Sequence, residues 1–214
     1  MKHLKLKKHG TTGELVTFCG LDGCGKSTMI ELLLQETKAL GKEVLLTRQP
    51  TLELRQSKIF RSYMDEADHS NYDYRALSLM AAADRIQHVH KVIMPALEAG
   101  KTVICDRYFY SCLANLRARG YKKDQWIYEI AKEFPEPDFA IFLDVPVEIA
   151  VSRVRARPEE RNRYIDMSLQ YALHSEYRNI CKENGGFLIK SVGTVEETYS
   201  ALCQVMKLKR AAER

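Results

Sequence analysis

The residues Gly20–Ser27 have the spacing of a phosphate-binding loop: glycine, four residues, glycine, lysine and serine. Glycines let backbone N–H groups close around phosphate oxygens, and a helix that begins there adds a favourable dipole. The lysine of such a loop reaches the β- and γ-phosphates, and the serine hydroxyl binds Mg²⁺. The pattern predicts a catalytic Lys26, a metal ligand in Ser27, and a nucleotide phosphate site formed by Gly20, Leu21, Asp22, Gly23, Cys24, Gly25, Lys26, Ser27 and Thr28. The alternative is a glycine-rich turn that binds nothing.

Further charged residues follow other apolar segments of the chain. Arg48 follows the second segment, and Asp106 and Arg107 follow the third. Ligands of open parallel sheets bind beyond the carboxyl ends of the strands, where arginine can place two hydrogen bonds on an acceptor phosphate. Asp106 is also in position to orient Mg²⁺, and Arg85 lies within a predicted helix. Each arginine alone could equally form a surface ion pair.

The segment 152–164 is rich in arginine, with Arg153, Arg155, Arg157, Arg161 and Arg163 around Pro158. One interpretation is a solvated helix end, because runs of charge usually are solvated. The other is a lid, at about residues 153–165, that supplies positive charge to a transition state and excludes water. We favour the lid, with Arg157, Arg161 and Arg163 as its catalytic candidates.

Other classes of P-loop protein fit less well. A GTPase would be expected to carry an Asn-Lys-x-Asp segment, and none of the five asparagines precedes a lysine. A motor or transport ATPase would normally be larger than 214 residues. These observations favour phosphoryl transfer to a small molecule. A regulatory protein that binds nucleotide without turnover remains the alternative outside the enzymes.

The composition is that of an ordinary globular protein, with 45% hydrophobic and 29% charged residues. No apolar run approaches the roughly 18 residues that a membrane helix needs. Residues 1–12 are basic and are expected to form a solvated tail that explains most of the net charge of +5, which is weak support for nucleic-acid binding. The six cysteines are scattered, which argues against zinc or disulfides and favours the cytoplasm.

Short apolar runs alternate with helix-period stretches. The runs predict strands over 14–19, 43–47, 102–106, 139–144 and 187–192, with helices over 26–40, about 73–98, 146–156, 164–183 and 194–209. Buried strands that are each followed by a helix indicate an α/β fold, with a parallel sheet covered on both faces. The length and the lack of a linker predict one domain, residues 13–214.

Six segments, in this order and spacing, resemble the thymidylate kinase family from about residue 13 onward: "FCGLDGCGKST", "LLTRQP", "AADRIQHV", "IMPALEAGKTVICDRYFYS", "PDFAIFLDVPVEIAVSRVRAR" and "NRYID". The resemblance implies a P-loop kinase core with strand order 2-3-1-4-5, ATP and Mg²⁺, dTMP as the acceptor, and commonly a homodimer. It also implies that Arg48 and Arg107 grip the acceptor phosphate, that Arg85 faces the base, and that Asp22 and Tyr164 lie near the deoxyribose. Gly23 and Cys24 stand where one branch has an arginine, so the chain is similar to the bacterial-type branch, whose catalytic arginine comes from the lid.

The chain departs from the family pattern on the acceptor side. Ala81, beside Met80, stands where the family usually has a phenylalanine that stacks on thymine, and Asn115 and Leu116 replace a Tyr-Gln pair. Gln49 replaces a glutamate, and the glycine pair after the next proline is missing. These substitutions predict a larger and more polar base pocket. A kinase for another nucleotide or for a nucleoside is therefore the alternative acceptor assignment.

Overall fold

A five-stranded parallel sheet forms the centre of the computed structural model, which describes residues 3–66 and 68–212. The strands are β1 (Glu14–Cys19), β2 (Val44–Arg48), β3 (Thr102–Asp106), β4 (Phe139–Asp144) and β5 (Phe187–Lys190). Their order is β2-β3-β1-β4-β5, and every pair is parallel. The predicted fold class and strand order are confirmed, and each strand lies within one residue of its predicted start.

Helices connect the strands. They are α1 (Lys26–Ala39), α2 (Leu52–Gln56), α3 (Lys58–Asp65), α4 (Tyr74–His88), α5 (Met94–Glu98), α6 (Phe109–Ala118), α7 (Trp126–Ile130), α8 (Val147–Arg155), α9 (Met167–Glu183) and α10 (Val195–Ala212). A π-helical turn, Val89–Ile93, joins α4 to α5, so the predicted helix over 73–98 is present in three parts. None of the described helices is long and apolar enough to cross a membrane.

The sequence did not predict α2, α3, α6 or α7. Helix α6 is buried on nearly all sides, so its apolar residues do not repeat at the helical period. Helices α2 and α7 have only five residues each. Periodicity cannot identify an element that is buried all round or shorter than two turns.

The basic N-terminal segment packs against the domain over its described residues. The Leu4 side chain is buried, and the Leu4 N–H donates to Asn184 Oδ1 (2.8 Å). Lys7 donates its N–H to Phe134 O and accepts from the Glu136 N–H, both at 2.8 Å. The expectation of a solvated tail is wrong for this backbone, although the side chains of Lys5, Lys7 and Lys8 are exposed; residues 1 and 2 lie outside the described part of the chain.

The sheet brings the charged residues predicted from the sequence to one edge. Strands β1, β3 and β4 are almost completely buried, which fixes their ends firmly. In the register of the sheet, Asp106 is the partner of Arg48 on β2 and of Phe18 on β1. The phosphate-binding loop, Arg48, Asp106 and Arg107 therefore all lie at the carboxyl ends of adjacent strands.

Candidate active site

The glycine-rich loop runs from the end of β1 to the start of α1, as a phosphate-binding loop requires. Gly23 has a φ of 83°, and a Cβ there would lie 2.1 Å from the Ala150 carbonyl oxygen, so no other residue fits. Gly25, with a φ of 93°, stands at the N-cap of α1, and no side chain caps this helix. The first-turn N–H groups of α1 are therefore available to an anion.

Lys26 lies inside this loop and is 7% exposed. Its Nζ donates to the carbonyl oxygens of Leu21 (2.7 Å) and Gly20 (3.1 Å). It forms no salt bridge with any described carboxylate, so backbone oxygens are its main partners. Ser27 and Thr28 follow it on the exposed first turn of α1.

Asp106 and Arg48 form an ion pair at the ends of β3 and β2. Asp106 Oδ2 lies 2.9 Å from Arg48 Nη2, and the Arg48 side chain is 52% exposed while that of Asp106 is 12% exposed. The other oxygen, Asp106 Oδ1, is buried without a hydrogen-bond partner among the described residues. A buried carboxylate oxygen that lacks a partner suits a cation or a water bound to one.

No group of three or more His, Cys, Asp or Glu side chains in the described chain is arranged to hold a metal ion. Mg²⁺ in nucleotide kinases needs no such cage, because one or two protein oxygens together with phosphate oxygens and waters complete its shell. The donor set of Ser27 Oγ and Asp106 Oδ1 fits that chemistry.

Arg107 has a φ of 67°, and it is the sole described residue other than glycine with a positive φ. Such a backbone costs energy in a bulky residue and is found where the side chain must be aimed. The guanidinium pairs with the Asp22 carboxylate and donates to Gly20 O (3.3 Å) and Tyr177 Oη (3.2 Å). The positive charge of Arg107 is the main reason why the pKa of the Asp22 carboxyl lies well below its usual value, and the charges of Lys26 and Arg163 lower this pKa further.

Arg85 is buried on α4, 3% exposed. Its Nη1 donates to the Ala81 carbonyl oxygen (2.9 Å), while its Nε has no hydrogen-bond partner among the described residues. The Arg85 guanidinium also forms no ion pair with an acidic residue in the part of the chain that the structure describes. A buried guanidinium with free donors is costly, so this one is suited to acceptor atoms of a ligand.

Asn115, one of the residues that depart from the family pattern, forms hydrogen bonds with other residues of the protein. Asn115 Nδ2 donates to Ser111 O (2.9 Å), and its Oδ1 accepts from Arg119 Nη1 (2.7 Å). The Arg119 guanidinium in turn lies 3.9 Å from the centre of the Tyr74 ring. Arg119 and Tyr74 were not predicted from the sequence, since their proximity depends on the packing of α4 against α6.

Gln49 and Leu116 are buried. Gln49 Nε2 lies 3.1 Å from His88 Nδ1, and the Gln49 N–H donates to Asp106 O (3.0 Å). Leu116 belongs to the hydrophobic core. The polar replacement at position 49 therefore contacts another side chain of the protein.

The arginine-rich segment is exposed between α8 and α9. Arg163 Nη2 lies 3.4 Å from Asp22 Oδ2, and Arg163 Nη1 lies 3.2 Å from Glu160 Oε2. Arg157 and Arg161 have no side-chain hydrogen bond or ion pair among the described residues, and Tyr164 is 69% exposed. The structure therefore brings one of the three lid candidates to the phosphate-binding loop.

Comparison with known proteins points to one family. A family model described as Thymidylate kinase matches residues 18–200. A probable thymidylate kinase of Pyrococcus horikoshii is 35% identical over 91% of this chain and 96% of its own length. Its counterpart in Pyrococcus abyssi is 36% identical over the same shares. A probable thymidylate kinase of Thermococcus gammatolerans is 40% identical over 68% of this chain and 72% of its own length.

Proposed function

The chain belongs to the thymidylate kinase family, and we propose that it phosphorylates dTMP to dTDP with ATP and Mg²⁺. One observation carries the proposal. Lys26 Nζ lies 3.1 Å from Gly20 O, and Arg107 Nη1 lies 3.3 Å from the same oxygen. Two cations that donate to one carbonyl oxygen support a donor phosphate site next to an acceptor phosphate site, as in-line transfer requires.

On the donor side, the residues 20–28 bind the phosphates of ATP through backbone N–H groups and the first turn of α1. Lys26 turns from backbone oxygens towards the transferring group and neutralises the charge that grows there. Ser27 and Asp106 would hold Mg²⁺, which would supply positive charge against the negative charge of the phosphates. The partnerless Asp106 Oδ1 supports this assignment.

On the acceptor side, Arg48 and Arg107 bind the phosphate of dTMP. The positive φ of Arg107 supports this role, because strained backbone is common at functional sites. Arg85 faces the base, where thymine carbonyl oxygens would satisfy its free donors. Asp22 and Tyr164 lie near the deoxyribose, and Ala81 and Asn115 border the base pocket.

The lid, about residues 153–165, closes over the phosphates and excludes water, which would otherwise compete for the γ-phosphoryl group. Arg157, Arg161 and Arg163 supply its positive charge. The contact between Arg163 and Asp22 supports a position over the loop.

The remaining expectations are part of the same proposal. Residues 13–214 form one kinase domain, the enzyme acts as a homodimer, and it needs neither a nucleic acid nor a membrane. All six cysteines are free thiols, which supports a reducing compartment such as the cytoplasm.

A coupled assay of ADP release over a panel of nucleoside monophosphates and nucleosides tests the proposal. We expect turnover with dTMP above all other acceptors, and loss of turnover in Lys26→Ala with the fold retained by circular dichroism. Preferred turnover with another acceptor would replace the substrate assignment. Nucleotide binding without any turnover would make the protein a binding protein.

A further inference from the structure

Ser78, in the middle of α4, is a buried residue whose hydroxyl has no partner. The side chain is 3% exposed, and its Oγ forms no hydrogen bond with any residue that the structure describes. A hydroxyl in a helix can donate to the carbonyl oxygen four residues earlier, as Thr37 does to Leu33 O (2.6 Å). Ser78 makes no such bond to Tyr74 O. A buried hydroxyl without a partner is costly, which suggests that a ligand supplies the partner.

Ser78 shares one side of α4 with Ala81 and Arg85. At about 3.6 residues per turn, the directions of Ser78 and Arg85 differ by roughly 20°, and Ala81 lies about 40° from Arg85 and about 60° from Ser78. All three residues are buried, and α4 packs against α6. Position 81, between the two polar side chains, contributes only a methyl group. The turn between Ser78 and Arg85 therefore has room that a phenylalanine at position 81 would occupy.

The Arg85 guanidinium is a second unpartnered group on this side of α4. Arg85 Nη1 donates to Ala81 O (2.9 Å), so the guanidinium reaches back along the helix towards Ser78, while its Nε finds no acceptor within the described chain. On α6, the side-chain oxygen of Asn115 already accepts from Arg119 Nη1 (2.7 Å). A guanidinium offers only donors, and a hydroxyl can donate too. Both groups thus suit a ligand that carries a carbonyl oxygen.

We propose that the Ser78 hydroxyl donates a hydrogen bond to a carbonyl oxygen of the acceptor base, next to Arg85. The inference rests on the proposed function, in which Arg85 faces the base of dTMP. In this chain, a hydrogen bond from the turn before position 81 takes the place of the stacking ring that Ala81 lacks. The contact favours bases that present a carbonyl oxygen at this edge, as thymine does. A base with an amino group there would leave Arg85 without an acceptor.

The test compares Ser78→Ala with the wild type by calorimetric titration of dTMP and of 2′-deoxyribose 5-phosphate, which keeps the sugar and the phosphate but has no base. Titration of dTMP in the presence of the sugar phosphate measures the weaker ligand by competition. Thr17→Val is the matched control, because Thr17 Oγ1 is likewise buried without a partner among the described residues but lies on β1, in the middle of the sheet. Thermal unfolding without ligand reports on the folding of each variant.

We expect Ser78→Ala to raise the Kd of dTMP about fivefold and to leave the Kd of 2′-deoxyribose 5-phosphate unchanged. Its melting temperature should equal or exceed that of the wild type, because alanine removes an unsatisfied hydroxyl from a helix. Thr17→Val should leave the Kd of dTMP unchanged. For Ser78→Ala, an unchanged Kd of dTMP, an equal loss for both ligands, or a lower melting temperature would overturn the inference. Failure of the wild type to bind or phosphorylate dTMP would instead overturn the proposed function, so the two failures are distinguishable.

Discussion

Arg163 Nη2 lies 3.4 Å from Asp22 Oδ2, so the arginine-rich segment already touches the phosphate-binding loop. Asp22 is paired at the same time with Arg107, the proposed acceptor phosphate residue. One carboxylate therefore contacts both the arginine-rich segment, the proposed lid, and Arg107. If this segment moves as a lid, the contact would couple its movement to the position of Arg107.

Replacement of Arg157, Arg161 and Arg163 together by alanine should lower kcat about a hundredfold or more, because their charge acts mainly on the transition state. The Kd of dTMP should change by a few-fold at most. Stopped-flow turnover at saturating substrates and titration of dTMP measure the two quantities. An unchanged kcat would show that the segment is an ordinary run of charged residues exposed to solvent.

The Tyr177 hydroxyl on α9 should act as a positioning group for Arg107. It accepts from Arg107 Nη1 (3.2 Å) and donates to Ser111 Oγ (3.2 Å). Tyr177→Phe keeps the buried ring and removes the hydroxyl, so we expect the KM for dTMP to rise about tenfold while the KM for ATP stays the same.

Tyr128→Phe is the control for Tyr177→Phe, because it too removes a hydroxyl that accepts from an arginine, Arg117 Nη2 at 2.8 Å. It should lower the free energy of unfolding without moving either KM. Equal effects of the two variants on stability, with no change in the KM for dTMP, would reduce Tyr177 to a structural residue.

His88 should make the protein less stable below about pH 6.5. Burial lowers its pKa below the ordinary value of 6.5, and its ring nitrogens lie 2.7 Å from Thr47 Oγ1 and 3.1 Å from Gln49 Nε2. The unfolded state therefore takes up a proton at a higher pH than the folded state does. Stability should be complete above about pH 6.5 and should fall as the pH is lowered towards the folded-state pKa.

Urea unfolding of the wild type and of His88→Gln between pH 5 and 8 measures this contribution. The variant should show a flatter loss of unfolding free energy below pH 6.5, and His90→Gln, at an exposed position, should follow the wild type. Parallel curves for the wild type and His88→Gln would show that another group causes the acid sensitivity.

The features that the sequence predicted well are local. The loop over 20–28 is a fixed spacing of residue types, and the five strands are short apolar runs, so neither depends on what packs around them. The common position of Arg48, Asp106 and Arg107 was predictable because they lie at the ends of strands that must meet at one edge of a parallel sheet.

The features that the sequence analysis missed depend on contacts between residues that are far apart in the chain. Tyr177 lies 70 residues from Arg107 in sequence, and no local pattern joins them. The packed N-terminal segment did carry a signal: Leu4 and Leu6 alternate with lysines, a pattern typical of an extended segment with one buried face.

The acceptor pocket gives the last prediction, because Ala81 stands where the family usually has a stacking ring. Ala81→Phe should sharpen the preference for dTMP over dUMP and dGMP by about 1 kcal/mol in relative kcat/KM. Ala81 is only 8% exposed, so the larger side chain should also lower the free energy of unfolding, by about 1–3 kcal/mol. Leu79→Phe, on the same helix at a position that is 45% exposed, should change neither quantity. If the wild type already uses dTMP exclusively and Ala81→Phe damages that activity, another group holds the base, and the alignment of α4 with the family pattern is wrong.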